Sequence, residues 1–181
     1  MAKLISKTYG DALLEIAVEE NKLDLFFEEI SQLSDIFNNN PEFGKLMNNP
    51  RIAVADKLDV LKNVFEGKIS KELMGFFSTI ISKGRYSQID EILSYFLSEV
   101  KRIKGIGVAS VVTPLPLKDD QKKNIEKRLL ETTKYKSMEI NYSVDETLIG
   151  GMRIRIGDRV VDSSIQTKIT KMQQDMMKIM V

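Results

Sequence analysis

Apolar residues recur at the spacing of an α-helix over the first hundred residues of the chain. The polar and glycine breaks between them are Asn38–Asn40 with Pro41, Asn48-Asn49-Pro50, Gly67, Gly84 and Gly105. Asn favours turns, a residue before proline avoids the helical region, and glycine is common just after a helix. The pattern therefore predicts five or six short-looped helices, which is typical of a compact helical bundle.

The period changes after Gly105. Residues 106–113 are rich in valine and stop at Pro114, which predicts a strand. Residues 119–133 return to helical spacing, and residues 138–144 alternate strictly between apolar and polar, as a half-buried strand does. We predict an α+β protein, with a six-helix bundle over residues 1–105 and a small α/β domain, containing a short sheet and two helices, over residues 106–181.

A strand, a tight turn and a helix start follow one another near the end of the chain. Met152, Ile154 and Ile156 alternate with two arginines, which predicts a strand with one buried face. Gly157-Asp158 predicts a type II′ hairpin turn, because glycine adopts the positive φ that its first central position requires. Asp162 or Ser163 is then expected to cap the last helix by accepting a backbone hydrogen bond.

Gly150-Gly151 precedes this hairpin and has two interpretations. A glycine pair can cradle phosphate, but the G-x-x-x-x-G-K-[ST] spacing of a phosphate loop is absent here. A tight backbone bend is the better interpretation. We therefore assign structural roles to five residues of this segment: Gly150, Gly151, Gly157, Asp158 and Asp162.

The amino-acid composition limits the kinds of functional site that the chain can contain. The 181 residues are 43% hydrophobic, which is typical of a folded domain. The formal net charge of +1 is too small to indicate binding to nucleic acid or to a membrane. Cysteine and histidine are both absent, which excludes Cys/His zinc sites and histidine-based catalysis. No cofactor or metal is predicted. The N-terminus lacks signal-peptide character and no apolar run is long enough for a bilayer, so membrane association is expected through a partner.

Charged residues in the second half of the chain are candidates for binding or catalytic sites. Three arginines, Arg153, Arg155 and Arg159, could grip phosphate or carboxylate, but a solvated strand face is the preferred interpretation. Four basic residues lie together on the helix at 119–133: Lys122, Lys123, Lys127 and Arg128. They could meet an acidic partner or RNA, yet no aromatic stacking platform accompanies them. The carboxylates Asp145, Asp158 and Asp162 are explained by turns and caps rather than by acid–base catalysis.

The terminal helix carries a narrow apolar seam. Its members are Ile165, Ile169, Met172, Met176 and Ile179, at alternating spacings of four and three. That spacing is typical of a coiled-coil surface, and methionine is frequent where partner helices bind. The seam could equally pack on the chain's own sheet, so both interpretations stay open.

The segment 144–165 resembles the C-terminal signature of the δ subunit family of bacterial ATP synthase, whose mitochondrial counterpart confers oligomycin sensitivity. Further segments that resemble the family are Tyr9-Gly10-Asp11-Ala12-Leu13, Asn48-Asn49-Pro50-Arg51-Ile52, Lys83-Gly84-Arg85-Tyr86 and Pro114-Leu115-Pro116-Leu117 with Gln121. The family has a helical bundle followed by a small α/β domain, in the same order. Gly10 stands where the family often has alanine, at an expected cost of up to about 1 kcal/mol to the helix, and Glu146 stands where proline is common.

The resemblance implies a non-catalytic stator subunit that joins the catalytic head of a proton- or sodium-driven ATP synthase to its peripheral stalk. The bundle would bind the N-terminal helix of an α subunit in a groove between its first and fifth helices. The groove residues would be Tyr9, Leu13, Ile16, Phe76, Phe77 and Ile80. The α/β domain would bind the b subunits of the stalk through Ile165, Ile169, Met172 and Met176.

The expected location is the cytoplasmic face of a bacterial plasma membrane, with a plastid thylakoid less favoured. We expect no nucleic-acid partner and no homo-oligomer. The alternative function is a nucleic-acid-binding module that uses the basic second half, in which residues 105–181 carry 13 Lys/Arg against 10 Asp/Glu.

Overall fold

The computed structural model describes residues 2–179, with side chains described for residues 4–174 and for Met176. The chain divides into two compact units, Met1–Val100 and Lys101–Val181. The predicted cut at residue 105 lies close to this division, which falls inside the sixth helix. None of the helices described over residues 2–179 has both the length and the apolar character that crossing a membrane requires.

Six helices make up the first unit, and the last of them continues into the second. They are α1 (Ala2–Glu19), α2 (Leu23–Asn39), α3 (Pro41–Asn48), α4 (Val54–Phe65), α5 (Lys71–Ser82) and α6 (Ile89–Lys104), with a 3₁₀ turn at Tyr86–Gln88 before α6. The predicted breaks act as expected. Gly84, for example, has φ +63° and donates its N–H to the Ile81 carbonyl at 3.0 Å, while the N–H of Arg85 bonds the Ile80 carbonyl at 2.9 Å.

An aromatic cluster lies at the centre of this unit. The Phe37 ring stacks on Phe43, with centroids 5.6 Å apart, and meets Phe65 and Phe77 edge-on at 6.0 and 5.9 Å. Tyr86 lies against Phe37 and is buried, and loss of solvent raises the pKa of its hydroxyl well above the ordinary value. Residues from α2, α3, α4, α5 and the 3₁₀ turn are thus held in one core.

The second unit is a four-stranded sheet with two helices. Its elements are β1 (Ile106–Thr113), α7 (Asp119–Thr132), β2 (Ser137–Val144), β3 (Arg153–Ile156), β4 (Arg159–Asp162) and α8 (Ile165–Ile179). The strand order is β2-β1-β3-β4, with β1 parallel to β2 and antiparallel to β3. Ile125 and Leu129 of α7 pack against Ala109, Val111 and Met138 of the sheet. The predicted α+β class and its element order are confirmed.

Candidate partner-binding surfaces

The Gly157-Asp158 turn joins β3 to β4 with the geometry predicted for it. Ile156 pairs with Arg159, so two residues form the loop. Gly157 has φ +56°, whereas Asp158 is outside the positive-φ region, which is the pattern of a type II′ turn. Asp158 is exposed at the second turn position. Its place at the hairpin tip is accounted for by the turn.

Gly150 and Gly151 contact the backbone at the start of α8. The N–H of Ile165 bonds the Gly150 carbonyl at 3.0 Å, and the N–H of Ser163 bonds the Met152 carbonyl at 2.9 Å. Gly151 has φ +85°, and a Cβ at this position would overlap the Ser163 carbonyl oxygen. The glycine pair therefore allows two backbone segments to lie in contact, which explains it without a phosphate ligand.

The cap of α8 differs from the prediction by one residue. Ser164, rather than Asp162 or Ser163, is the cap, because its Oγ accepts the N–H of Thr167 at 3.2 Å. Asp162 lies two residues earlier, at the end of β4, where its Oδ1 accepts the N–H of Ser164 at 2.8 Å and its Oδ2 accepts the Nε–H of Arg153 at 3.2 Å. The hydrogen bonds from Ser164, and then that from Arg153, hold the pKa of Asp162 well below its usual range.

The other candidate carboxylate also belongs to a turn. Asp145 Oδ1 accepts the backbone N–H of Thr147 at 3.0 Å and its hydroxyl at 2.6 Å. These bonds from Thr147 lower the pKa of Asp145 from its ordinary value. An ionised carboxylate engaged in its own loop fits a structural role better than acid–base catalysis.

The seam of α8 is exposed to solvent over its described length. The exposed fractions are 43% for Ile165, 55% for Ile169, 67% for Met172 and 65% for Met176, while the side chain of Ile179 lies outside the described residues. Arg153 of β3 lies instead beside polar residues of α8 such as Thr167 and Thr170. The apolar seam thus has surface available for a partner helix.

The six residues predicted for the head-binding groove fall into two groups. Four are core residues of the bundle, with exposed fractions of 0% for Leu13, 9% for Phe76, 1% for Phe77 and 0% for Ile80. Tyr9 is half-buried and Ile16 is 37% exposed. A partner can therefore contact Tyr9 and Ile16 directly, whereas the other four side chains hold the helices in place.

A cavity of about 650 Å³ lies elsewhere in the same unit, among α2, α3 and α4. Its apolar wall includes Ile36, Phe43, Leu46 and Val64. None of the six predicted groove residues lines it. No sequence pattern marks this cavity, since its residues have the ordinary apolar spacing of helices that pack into a core.

The candidate basic residues of the second unit are mostly exposed to solvent, which agrees with the solvated face preferred for the three arginines. Arg153, Arg155 and Arg159 are exposed. Arg153 and Arg155 lie opposite the half-buried side chains of β3, whereas Arg159 pairs with Ile156 and lies on the same face of the sheet. Lys122 is half-buried; its Nζ lies 5.7 Å from the ring centroid of Tyr142 and 3.5 Å from Asp119 Oδ1. This lysine is thereby engaged within the unit, and nothing in the described geometry favours a nucleic-acid surface.

Comparison with known proteins gives one consistent result. The sequence model of the ATP synthase delta (OSCP) subunit family matches residues 5–176. The chain is 45% identical to the ATP synthase subunit delta of Lachnoclostridium phytofermentans over 179 residues, which is 99% of this chain and 98% of that protein. It is 31% identical to the subunit of the same name from Alkaliphilus oremlandii, over the full length of both.

A solved structure has the same fold. A chain of the Toxoplasma gondii mitochondrial ATP synthase hexamer superposes with a TM-score of 0.75, at 17% identity, over 95% of this chain and 97% of that one. At this identity the likeness shows the fold alone.

Proposed function

This chain belongs to the ATP synthase delta (OSCP) subunit family, and from that premise we propose that it is the stator subunit that joins the catalytic head to the peripheral stalk. It is a non-catalytic subunit of the synthase. The proposal rests chiefly on the family match, which runs through both compact units over residues 5–176. Each unit would hold one side of the connection.

The task of such a connector is mechanical. Ion flow, of protons or of sodium, turns the rotor, and the connector keeps the head from turning with it, so that torque drives ATP synthesis. Binding at both ends must be tight and slowly reversed; nanomolar affinity corresponds to about 12 kcal/mol. Burial of apolar side chains in a helix–groove contact is a suitable source of that free energy.

The first unit is the proposed head-binding half. An amphipathic helix from the N-terminus of an α subunit would lie along α1 and α5, with Tyr9 and Ile16 as its direct contacts. Leu13, Phe76, Phe77 and Ile80 are buried beneath this surface and would fix the spacing of the two helices. Phe76 is a poor position for a test, because a charge at a side chain that is 9% exposed would unfold the bundle.

The second unit is the proposed stalk-binding half. Ile165, Ile169, Met172 and Met176 present apolar surface on one side of α8, which suits packing against a helical stalk of b subunits. Membrane association of the protein would be indirect and peripheral, at the cytoplasmic face of a bacterial plasma membrane.

Ile16→Asp tests the head contact, with Val64→Asp on α4 as the matched control. The two side chains are 37% and 39% exposed, so both variants should fold. Calorimetric titration of the full chain with the N-terminal peptide of the α subunit should show at least tenfold weaker binding for Ile16→Asp and little change for Val64→Asp. An absence of binding by the folded wild-type chain would contradict the head-binding role.

A further inference from the structure

One helix covers only half of one face of the sheet in the second unit. Neighbouring strands are about 4.8 Å apart and a helix is about 10 Å wide, so one helix covers about two strands. α7 lies over β1 and β2, where Leu129 packs on Ala109 and Met138 and the Tyr142 hydroxyl donates to the Lys122 carbonyl at 3.2 Å. The same face of β3 and β4 lies beside α7 rather than beneath it.

The uncovered half of this face is apolar. Pairing places Ile154 opposite both Val111 and Val161, so these three side chains point to the side of the sheet on which α7 lies. Ile154 and Ile156 are half-buried, while Val161 is 57% exposed. An apolar strip therefore continues outward from the core to the hairpin.

The strip forms the floor of a continuous groove. Two cavities, of about 1120 and 820 Å³, lie along it, and Leu129 and Ile154 line both. We call this the α7–hairpin groove; Ile154, Ile156 and Val161 form its floor, and Leu129 of α7 lies at its side. α7 has 14 residues and is about 21 Å long at 1.5 Å per residue, so the groove can hold about four turns of another helix.

The rim of the groove is basic. Among the described residues that line the two cavities, five are basic (three in the larger cavity and two in the smaller) and two are acidic (one in each). Lys134 and Arg159 stand at one end, and Arg128 stands at the other. An occupant that covers the apolar floor with an acidic flank would complement this rim, whereas a basic one would be repelled.

We propose that the α7–hairpin groove binds an amphipathic helix of another protein, with acidic residues beside its apolar stripe. Resting on the function proposed above, this helix belongs to the peripheral stalk, so the stalk contacts the second unit at the groove as well as at the seam of α8. The groove supplies what the seam lacks: a concave apolar floor with a charged rim that fixes the orientation of the bound helix.

Two adjacent valines provide a matched test. Val161 faces the groove and Val160 faces the opposite side of β4, with exposed fractions of 57% and 56%. Val161→Glu and Val160→Glu therefore lie in the same strand, at positions of nearly equal exposure, and they change the net charge by the same amount. Titration of the full chain with the soluble region of the stalk b subunit from the same organism should show at least tenfold weaker binding for Val161→Glu and less than twofold change for Val160→Glu.

A second pair decides the matter if Val161→Glu fails to fold, as judged by circular dichroism. Lys134 stands on the rim, whereas Lys123 lines a separate surface depression on α7 together with Glu126 and Leu130, none of which lines the groove. Lys134→Glu should weaken stalk binding severalfold and reduce its dependence on salt, while Lys123→Glu should do neither.

Four outcomes are distinguishable. Selective loss in Val161→Glu or Lys134→Glu supports the groove. If the wild-type chain binds the stalk and both members of each pair bind it equally well, the groove proposal is overturned and the stator role stands. Failure of the wild-type chain to bind the stalk overturns both. A wild-type dimer that Val161→Glu dissociates, without any effect on stalk binding, would show a second copy in the groove and overturn the proposal.

Discussion

Gly10 in α1 lies where the ring of Tyr95 in α6 crosses the helix. A Cβ at residue 10 would overlap the Cδ1 atom of that ring, and the Tyr95 hydroxyl donates to Asp11 Oδ1 at 2.7 Å. The glycine thus permits a close contact between the two helices that a hydrogen bond then fixes. Its cost to helix propensity, which the sequence alone indicated, is offset by this packing.

Gly10→Ala is therefore expected to destabilise the protein by about 1–3 kcal/mol, because overlap with Tyr95 outweighs the gain in helix propensity. Gly75→Ala in α5 is the control, since a Cβ there meets nothing within 4 Å, and it should stabilise the protein by up to about 1 kcal/mol. Urea unfolding of both variants measures the difference. A stabilised Gly10→Ala variant would contradict the proposed role of the Tyr95 contact.

Contacts between particular residues, such as that of Gly10 with Tyr95, could not be predicted from the sequence. Residue spacing predicted that Leu13 and Ile16 lie on the apolar side of α1, but not that Leu13 is fully buried and Ile16 is 37% exposed. That difference depends on which helices pack beside α1, and hence on long-range contacts. The turn at Gly157 was predictable because its geometry is set by two adjacent residues.

At the scale of elements, the start of α8 shows how a one-residue error arises. β4 continues to Asp162, which moves the helix cap to Ser164 and leaves Asp162 to bond the N–H of that serine. Local preferences for caps favoured Asp162 or Ser163, and the pairing of Asp162 with Arg153 of β3 moves the helix start beyond both.

Ser164→Ala should fray the first turn of α8 and cost about 1 kcal/mol, because Thr167 loses the acceptor of its backbone N–H. Ser163→Ala, one residue earlier, is the control and should change stability by less than about 0.5 kcal/mol. Hydrogen exchange of the Thr167 amide measures the effect directly. Equal exchange in the two variants would mean that Ser164 is not the cap.

A charged cluster connects the turn after α1 to α5. Lys22 Nζ lies 2.5 Å from Glu20 Oε2 and 2.7 Å from Glu72 Oε1. The hydrogen bond from Lys22 lowers the pKa of Glu72 from near 4.5 to about 2, and the bonds to Glu20 and then Glu72 raise the pKa of Lys22.

The Glu72 contact predicts a pH dependence. Because the folded pKa lies below the unfolded one, the contribution of Glu72 to stability is fully present above about pH 4.5 and is lost as the pH falls towards 2. The difference in Tm between the wild-type chain and Glu72→Gln should therefore shrink over this window. Glu28→Gln, at an exposed position of α2, is the control. A difference that is constant from pH 6 to pH 2 would contradict the assignment.

For the whole molecule, the order of elements was predictable because the hydrophobic period is helical up to Gly105, and because strand-like and helical stretches follow one another after it. The α7–hairpin groove was not predictable. It follows from the position of α7 over β1 and β2, which leaves Val161 uncovered, and a Val-Val pair in a short strand gives no signal of which face is covered. The helices and strands could thus be predicted from the sequence alone, whereas the binding surfaces could be identified only from the folded structure.

The central claim is that one chain holds the catalytic head and the stalk at the same time. The most direct test is sedimentation of a purified catalytic head, lacking its own δ subunit, mixed with the soluble stalk region, with and without this chain. We predict one complex of all three components that forms only when the chain is present. Binding of the head or of the stalk, but never of both together, would contradict the claim.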